Sequence, residues 1–200
     1  MIDKDDILRS LNGAWALFLD RPNAIRMFDA SYQGFWRSFQ AIVLIIPIYA
    51  LTVYVERRML LNDSVPDEVY SESAFVAAAW LTLAFDWITL PLLLAALAPF
   101  LAIRQGYTAY IVARNWSAVA VAVPYGAISV VQLLGPDIGD LVFFPLVIAL
   151  AIALRFSYLI ARRALGVPMD VAIGFVALDV LVSVGLAQMF SRAFGLDASP

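Results

Sequence analysis

The chain has 200 residues, of which 63% are hydrophobic and 14% are charged. Soluble domains are about 45–50% apolar and about 25% charged, so this composition indicates a lipid environment. The formal net charge of −3 is small and predicts no nucleic-acid partner. The sequence has no cysteine and no histidine, which excludes disulfides, thiol nucleophiles, zinc–thiolate sites and imidazole acid–base chemistry.

Residues 1–34 form a predicted N-terminal segment whose acidic start, MIDKDD, is not typical of a signal peptide. Apolar side chains recur there at helical spacing: Ile7, Leu11, Ala14, Trp15 and Phe18. The pattern predicts an amphipathic helix that is too polar to span a membrane. Either it lies in the membrane interface, with Trp15 and Phe18 in lipid, or it packs on the end of the protein's own bundle. Trp36 is a third aromatic residue expected at the interface.

Five segments are long and apolar enough to cross a bilayer, which takes about 20 residues per helix. They cover residues 35–55, 75–103, 107–134, 141–160 and 171–190. The second and third are too short for a hairpin of two spans, and Pro91, Pro99 and Pro124 could kink them. We therefore predict an all-α fold, a polytopic transmembrane bundle of five spans over residues 35–192, with a short external tail at 193–200.

The distribution of basic residues predicts the orientation of the chain. With five spans, eight Lys and Arg residues fall on the side of the N-terminus and three on the other side, leaving out Arg114 and Arg155 within spans. Cytoplasmic loops carry the excess of basic residues. We therefore expect a multi-pass protein of the cell inner membrane, with the N-terminus in the cytoplasm and the C-terminus outside.

Four ionisable residues lie within the predicted spans: Asp86, Arg114, Arg155 and Asp179. Such residues cost about 2.5–3.5 kcal/mol each on insertion scales and usually face the bundle interior. Other polar residues accompany them. Thr82 and Thr89 share a helical face with Asp86, Asn115 follows Arg114, and Ser183 lies one turn after Asp179.

Two interpretations of these residues stay open. In the first, Asp86 and Asp179 line a path for protons or ions. In the second, Asp86–Arg114 or Asp179–Arg155 are structural ion pairs that fix helix register, because two acids and two bases fit neutral pairing arithmetically. Arg155 shares a helical face with Tyr158 and Arg162. Its side chain could therefore extend along this face to the cytoplasmic surface.

The sequence predicts no enzyme, since it has no GxSxG, HExxH, P-loop or GxGxxG motif. We expect no cofactor and no metal. The acidic loop residues Asp63, Asp67, Glu68 and Glu72 lack the spacing of an EF-hand and are typical of a solvated loop. A row of small residues, Ala118, Ala122 and Gly126, predicts close helix packing, either within the bundle or against a membrane partner or second copy.

Two stretches carry a resemblance to a known family: DASYQGFWRSFQAIVLIIPIYAL at 29–51 and GYTAYIVARNWSAVAVAVPYGAI at 106–128. With the predicted topology, they resemble the Yip-domain family of five-span membrane proteins, in its uncharacterised bacterial inner-membrane form. The cytoplasmic DLYGP-type motif of that family is absent, so the resemblance does not extend to its small-GTPase partners. It implies a membrane organiser or adaptor and no catalytic residues.

These patterns support two hypotheses about function. The leading one is a non-enzymatic organiser, adaptor or complex subunit that contacts membrane proteins or lipids through its helices. The alternative is a small transporter or channel for protons, ions or a small solute that uses Asp86 and Asp179.

Overall fold

The structure is a computed structural model that describes residues 4–62, 71–101, 103–135 and 139–196. The described residues form helices joined by turns and short loops, and no strand occurs among them, which confirms the all-α fold. Several predictions fall outside the described residues: those for Asp63, Asp67 and Glu68, and those for residues 197–200.

The α-helices, numbered in chain order, are α1 Lys4–Phe18, α2 Tyr32–Ser38, α3 Ile42–Asn62, α4 Glu72–Leu97, α5 Tyr107–Leu134, α6 Phe143–Leu165 and α7 Met169–Ala193. Short 3-10 turns at Ala24–Met27, Phe39–Ala41 and Gly139–Val142 complete the described secondary structure. The turn at Phe39–Ala41 joins α2 to α3, so that Tyr32–Leu60 forms one candidate span of 29 residues.

Five helical segments in the described residues are long and apolar enough to cross a membrane, which confirms the predicted count. Their bounds agree closely with the sequence, except at the end of the second span. There α4 ends at Leu97 and the predicted continuation to residue 103 is wrong. Pro99 follows this end, and because proline has no backbone N–H it cannot donate the next helical hydrogen bond. Pro91 and Pro124 lie inside α4 and α5, which continue past them.

Helix α5 lies at the centre of the bundle, between α3 and α6. Its first half also packs against α1 and α2. Helix α4 packs mainly on α7, which in turn packs on α6. Buried apolar side chains such as Ile111, Ala113 and Leu159 fill the space around α5, while large apolar side chains on the outer faces are exposed, as expected of helices that contact lipid.

The start of α5 lies against the end of α6. A Cβ atom at Gly106 would approach the carbonyl oxygen of Ala164 to 2.3 Å, so only glycine fits there. This close approach sets the level of α6 relative to α5, and with it the level of the polar side chains that both helices carry.

Helix α1 packs on the bundle, against α5 and α6. Its inner face buries small residues together with Leu17: Ser10, Gly13, Ala14 and Ala16. The opposite face exposes Leu8 and Trp15. The inner face therefore agrees with the second interpretation of the amphipathic helix, packing on the protein's own bundle, while Trp15 points away from the protein.

Candidate functional site

The guanidinium of Arg114 lies between two carboxylates from different helices. Its Nη2 atom donates to Oδ2 of Asp86 on α4 and to Oδ1 of Asp179 on α7, each over 3.2 Å. The side chains are largely buried, with exposed fractions of 12% for Arg114, 25% for Asp86 and 17% for Asp179. The structure thus confirms the predicted Asp86–Arg114 pair and adds Asp179 to it.

Two serine hydroxyls complete the site. Ser183 on α7 donates to Oδ1 of Asp86, and Ser157 on α6 donates to Oδ2 of Asp179 over 2.9 Å. All four carboxylate oxygens therefore accept a hydrogen bond. We call Asp86, Arg114, Ser157, Asp179 and Ser183 the central junction, because they join α4, α5, α6 and α7.

The central junction lies inside the candidate spans. Arg114 is about two turns after the start of α5, and Asp179 about three turns after the start of α7. Asp86 lies about three turns before the end of α4. These helix ends are on the same side of the bundle, so the junction lies about 10–16 Å from that side, at a depth where charge is expensive.

The other pair that the sequence allowed, between Asp179 and Arg155, is not formed. The Nε atom of Arg155 donates instead to the carbonyl oxygen of Phe18, over 3.0 Å, and its guanidinium lies 5.2 Å from the centre of the Phe18 ring. Residues two apart on a helix point to nearly opposite sides. Because Ser157 faces Asp179, Arg155 faces away from it and holds the end of α1.

The central junction consequently carries one more negative than positive charge when both acids are ionised. Two carboxylates share one guanidinium, and the second base that would balance them lies at α1. Neutral pairing, which the sequence allowed, is not formed. An uncompensated charge in an apolar interior is unfavourable, so the site carries an electrostatic cost that a second nearby base would have offset.

The other predicted polar residues are divided between the junction and separate contacts. Ser183 joins the junction, but it bonds Asp86 and not the Asp179 of its own helix. The hydroxyl of Thr82 donates to the carbonyl oxygen of Ala78, over 2.8 Å, within α4. Thr89 is half-buried and makes no side-chain hydrogen bond to another described residue. Thr82 and Thr89 therefore share a helical face with Asp86 but make no hydrogen bond to the other residues of the central junction.

Asn115 belongs to a different contact. It is fully buried, and its Nδ2 atom donates to the hydroxyl of Ser38 over 3.0 Å. Ser38 in turn donates to the carbonyl oxygen of Phe35 over 2.7 Å. Asn115 thus fastens the end of α2 to α5, on a side of α5 that Arg114 does not face.

A second group of charges, which the sequence reasoning missed, lies where α1 meets α2. Asp6 pairs with both Arg9 and Arg37, and Arg37 also pairs with Asp29 over 3.2 Å. We call Asp6, Arg9, Asp29 and Arg37 the N-terminal cluster. It lines a small pocket with Val112 and Trp116 of α5.

The turn before α2 positions Asp29. The backbone N–H of Ser31 donates to Asp29 Oδ1 over 3.0 Å, and the Ser31 hydroxyl accepts from the N–H of Gly34 over 3.1 Å, as an N-cap. Hydrogen bonds from Ser31, followed by the charge of Arg37, lower the pKa of Asp29 below its ordinary value. An aspartate two residues before an N-cap serine was the sequence signal for this turn.

The three aromatic residues predicted at the interface lie in two settings. Trp15 and Trp36 are exposed by 59% and 56%. Phe18 is half-buried, with its ring 5.2 Å from that of Phe156 on α6. Phe18 therefore packs on the bundle, whereas the two tryptophans present their rings outward.

Two further observations bear on what the site can do. Among the described residues, no group of three or more Asp and Glu side chains is arranged to hold a metal ion. Comparison with known proteins finds no matching family model, no similar curated protein and no similar solved structure. The geometry of the central junction is therefore the basis for a proposal about function.

Proposed function

We propose that the protein is a small transporter or channel, and that its activity is coupled to the binding of a cation at the central junction. The observation that supports this function is the unequal charge of the site, in which Asp86 and Asp179 share Arg114 within the spans. Ionisable groups at this depth are costly and typically mark ion or proton pathways. The alternative is that the charges form purely structural ion pairs. This alternative has less support, because the second base, Arg155, contacts Phe18 and not an aspartate.

The packing of α4 supports a role in conformational change. Helix α4 packs mainly on α7, and polar contacts link it to α3 and α5. The Tyr49 hydroxyl donates to the carbonyl oxygen of Ala79 over 2.8 Å, and the Tyr107 hydroxyl donates to that of Pro91 over 2.9 Å. Arg57 of α3 also pairs with Glu72 at the start of α4 over 2.6 Å, and the pair between Asp86 and Arg114 is a further link. A change of charge at Asp86 would weaken this link and favour another position of α4.

Flux through the purified protein tests this proposal. The protein is reconstituted in liposomes, and proton, sodium and potassium movement is followed under an imposed gradient and membrane potential. We expect flux above that of protein-free liposomes and its loss in Asp86→Asn. The matched control is Asp170→Asn, since Asp170 is an exposed carboxylate at the start of α7. Absence of wild-type flux, or equal flux in Asp86→Asn, would overturn the proposal.

A second candidate function, an organiser or adaptor that binds membrane proteins or lipids, draws on the N-terminal region. The outer face of α1 exposes Leu8 and Trp15, and α2 exposes Tyr32 and Trp36. An unpartnered apolar surface of this kind is typical of an interaction site. The resemblance to the Yip-domain family points to the same class of function. Capture of the tagged protein in mild detergent would support it if one defined partner is retained by the wild type and lost in Trp15→Ala.

We also propose the inner membrane as the location, with the N-terminus in the cytoplasm. The basis is the excess of Lys and Arg on the side of α1 and of the α4–α5 and α6–α7 loops. Fusion of a reporter to the C-terminus tests this orientation. Activity of a reporter that works only outside the cytoplasm is expected, and activity of a cytoplasmic reporter would contradict the orientation.

A further inference from the structure

We infer that the cation taken up by the central junction is a proton, that Asp86 carries it, and that the Ser183 hydroxyl reverses its hydrogen bond when it binds. The inference rests on the proposed function for its physiological meaning, but it concerns the chemistry of the site and is tested without flux.

The arrangement of donors around the carboxylates favours a proton over a metal ion. Each carboxylate oxygen of Asp86 and Asp179 already accepts a hydrogen bond from Arg114 or from a serine. Hard metal cations need about six or more oxygen ligands that point at one centre. Here the Arg114 guanidinium, itself a cation, occupies the space between the two acids. A metal ion would have to displace it against charge repulsion, whereas a proton adds to one oxygen.

The serine hydroxyls suit a site that exchanges a proton. A hydroxyl can donate one hydrogen bond and accept others, and its hydrogen rotates to suit the partner. When Asp86 is ionised, Ser183 donates to its Oδ1 atom. When a proton from water adds to this oxygen, the carboxyl O–H donates and Ser183 Oγ accepts. The Asp86 carboxyl group and the Ser183 oxygen remain hydrogen-bonded to each other in both states, which limits the cost of switching.

Exposure favours Asp86 as the carrier. Its side chain is 25% exposed against 17% for Asp179, so Asp86 is the less enclosed of the two acids. Asp179 is within electrostatic reach of Tyr110, a buried tyrosine that is only 2% exposed. Asp179 is thus the more enclosed partner and stays paired with Arg114.

The ionisable groups that face Asp86 come from α3, α5 and α7. They are Tyr49, which is also within electrostatic reach of Glu56, then Arg114, and Asp179, which shares Arg114 with Asp86. Tyr110 is within electrostatic reach of Arg114 and Asp179. From α6 the junction receives only the neutral hydroxyl of Ser157, because Arg155 is held at Phe18. The sole cation facing the two acids among the described residues is Arg114, so one added proton makes the group neutral.

Infrared difference spectroscopy of the reconstituted protein, between alkaline and acidic pH, tests this inference directly. We expect the C=O stretching band of one buried protonated carboxyl group to appear on acidification. Asp86→Asn should remove the band, and the exposed control Asp170→Asn should keep it. Persistence of the band in Asp86→Asn would overturn the assignment to Asp86.

Serine variants identify the carrier without disturbing the charges. Ser183→Ala removes the partner of Asp86, and Ser157→Ala removes that of Asp179. A shift of the band in Ser183→Ala with no shift in Ser157→Ala is the expected result, and the reverse pattern would contradict it. Both variants also serve if Asp86→Asn does not fold.

The outcome separates this inference from the proposed function. If the carboxyl band appears but no flux is measured, the proton site is supported and the transport function is excluded. Flux without any carboxyl band would exclude the proton as the bound cation and leave the transport function standing. Flux together with amide bands that respond to sodium at constant pH, in place of a carboxyl band, would do the same.

Discussion

Ion pairs between aspartate and arginine occur in both the central junction and the N-terminal cluster, but the two groups differ in charge balance and burial. In the N-terminal cluster, two aspartates meet two arginines, and the arginine side chains are 37% and 50% exposed. In the central junction, two aspartates meet one arginine that is 12% exposed. A balanced and exposed group can hold two helices together at low cost, whereas an unbalanced and buried one carries a larger desolvation cost.

Helix α5 separates the two groups. Val112 and Trp116 face the N-terminal cluster, and Arg114 lies between them in the sequence, on the other side of the helix. Changes in one group should therefore leave the other intact, which makes the comparison experimentally accessible.

The largest expected effect comes from removing the shared base. Arg114→Gln leaves Asp86 and Asp179 without a cation in the interior, and breaking a buried ion pair costs about 3–5 kcal/mol. Unfolding of the detergent-solubilised protein, followed by circular dichroism, measures the loss. Arg155→Gln is the matched control, because Arg155 is exposed and pairs with a backbone carbonyl.

We expect Arg155→Gln to lose about 1 kcal/mol or less, as for an exposed charged hydrogen bond. Adding Asp86→Asn and Asp179→Asn to Arg114→Gln should restore most of the stability, since a neutral site replaces the stranded charges. If Arg155→Gln were as unstable as Arg114→Gln, the difference between the two arginines would be refuted.

A smaller effect is expected at the N-terminal cluster. A Cβ atom at Gly34 would lie 2.0 Å from the carbonyl oxygen of Asp29, so Gly34→Ala must displace the turn that holds this aspartate. We expect a loss of about 1–3 kcal/mol and faster hydrogen exchange in α1 and α2. In Gly185→Ala, the added methyl meets open space and should be tolerated. Slower exchange in Gly34→Ala, or loss of the carboxyl band of the junction, would contradict the separation.

The smallest effect concerns pH. Because the pKa of Asp29 is lowered in the folded protein, its contribution to stability is present above the ordinary aspartate pKa. It is lost as the pH falls through the lowered value. The difference in exchange of α1 between wild type and Asp29→Asn should therefore shrink on acidification below about pH 4. A difference that widens at low pH would have the wrong sign and contradict this account.

The sequence predicted the spans well, because lipid imposes length and hydrophobicity on each helix separately. It also identified Asp86, Arg114 and Asp179, since charges within a span stand out against apolar neighbours. These are properties of single segments, which require no knowledge of how the helices pack.

Partner choice could not be predicted, because it depends on helix rotation and on neighbours distant in sequence. Arg155 and Ser157 are two residues apart in α6, and only the packing decides which of them faces Asp179. A signal for Ser157 existed: it is the only hydroxyl other than a tyrosine in α6. The link from Asp6 to Arg37 joins residues 31 apart and left no trace in local periodicity.

Double-mutant cycles on Arg114 and Arg155 with Asp179 test the central claim most directly. Each cycle uses Gln for the arginine and Asn for the aspartate, and it measures a coupling free energy from unfolding. Arg114 and Asp179 should be coupled by about 1–3 kcal/mol, and Arg155 and Asp179 by less than about 0.5 kcal/mol. Strong coupling of Asp179 to Arg155 would restore neutral pairing and contradict the unbalanced junction.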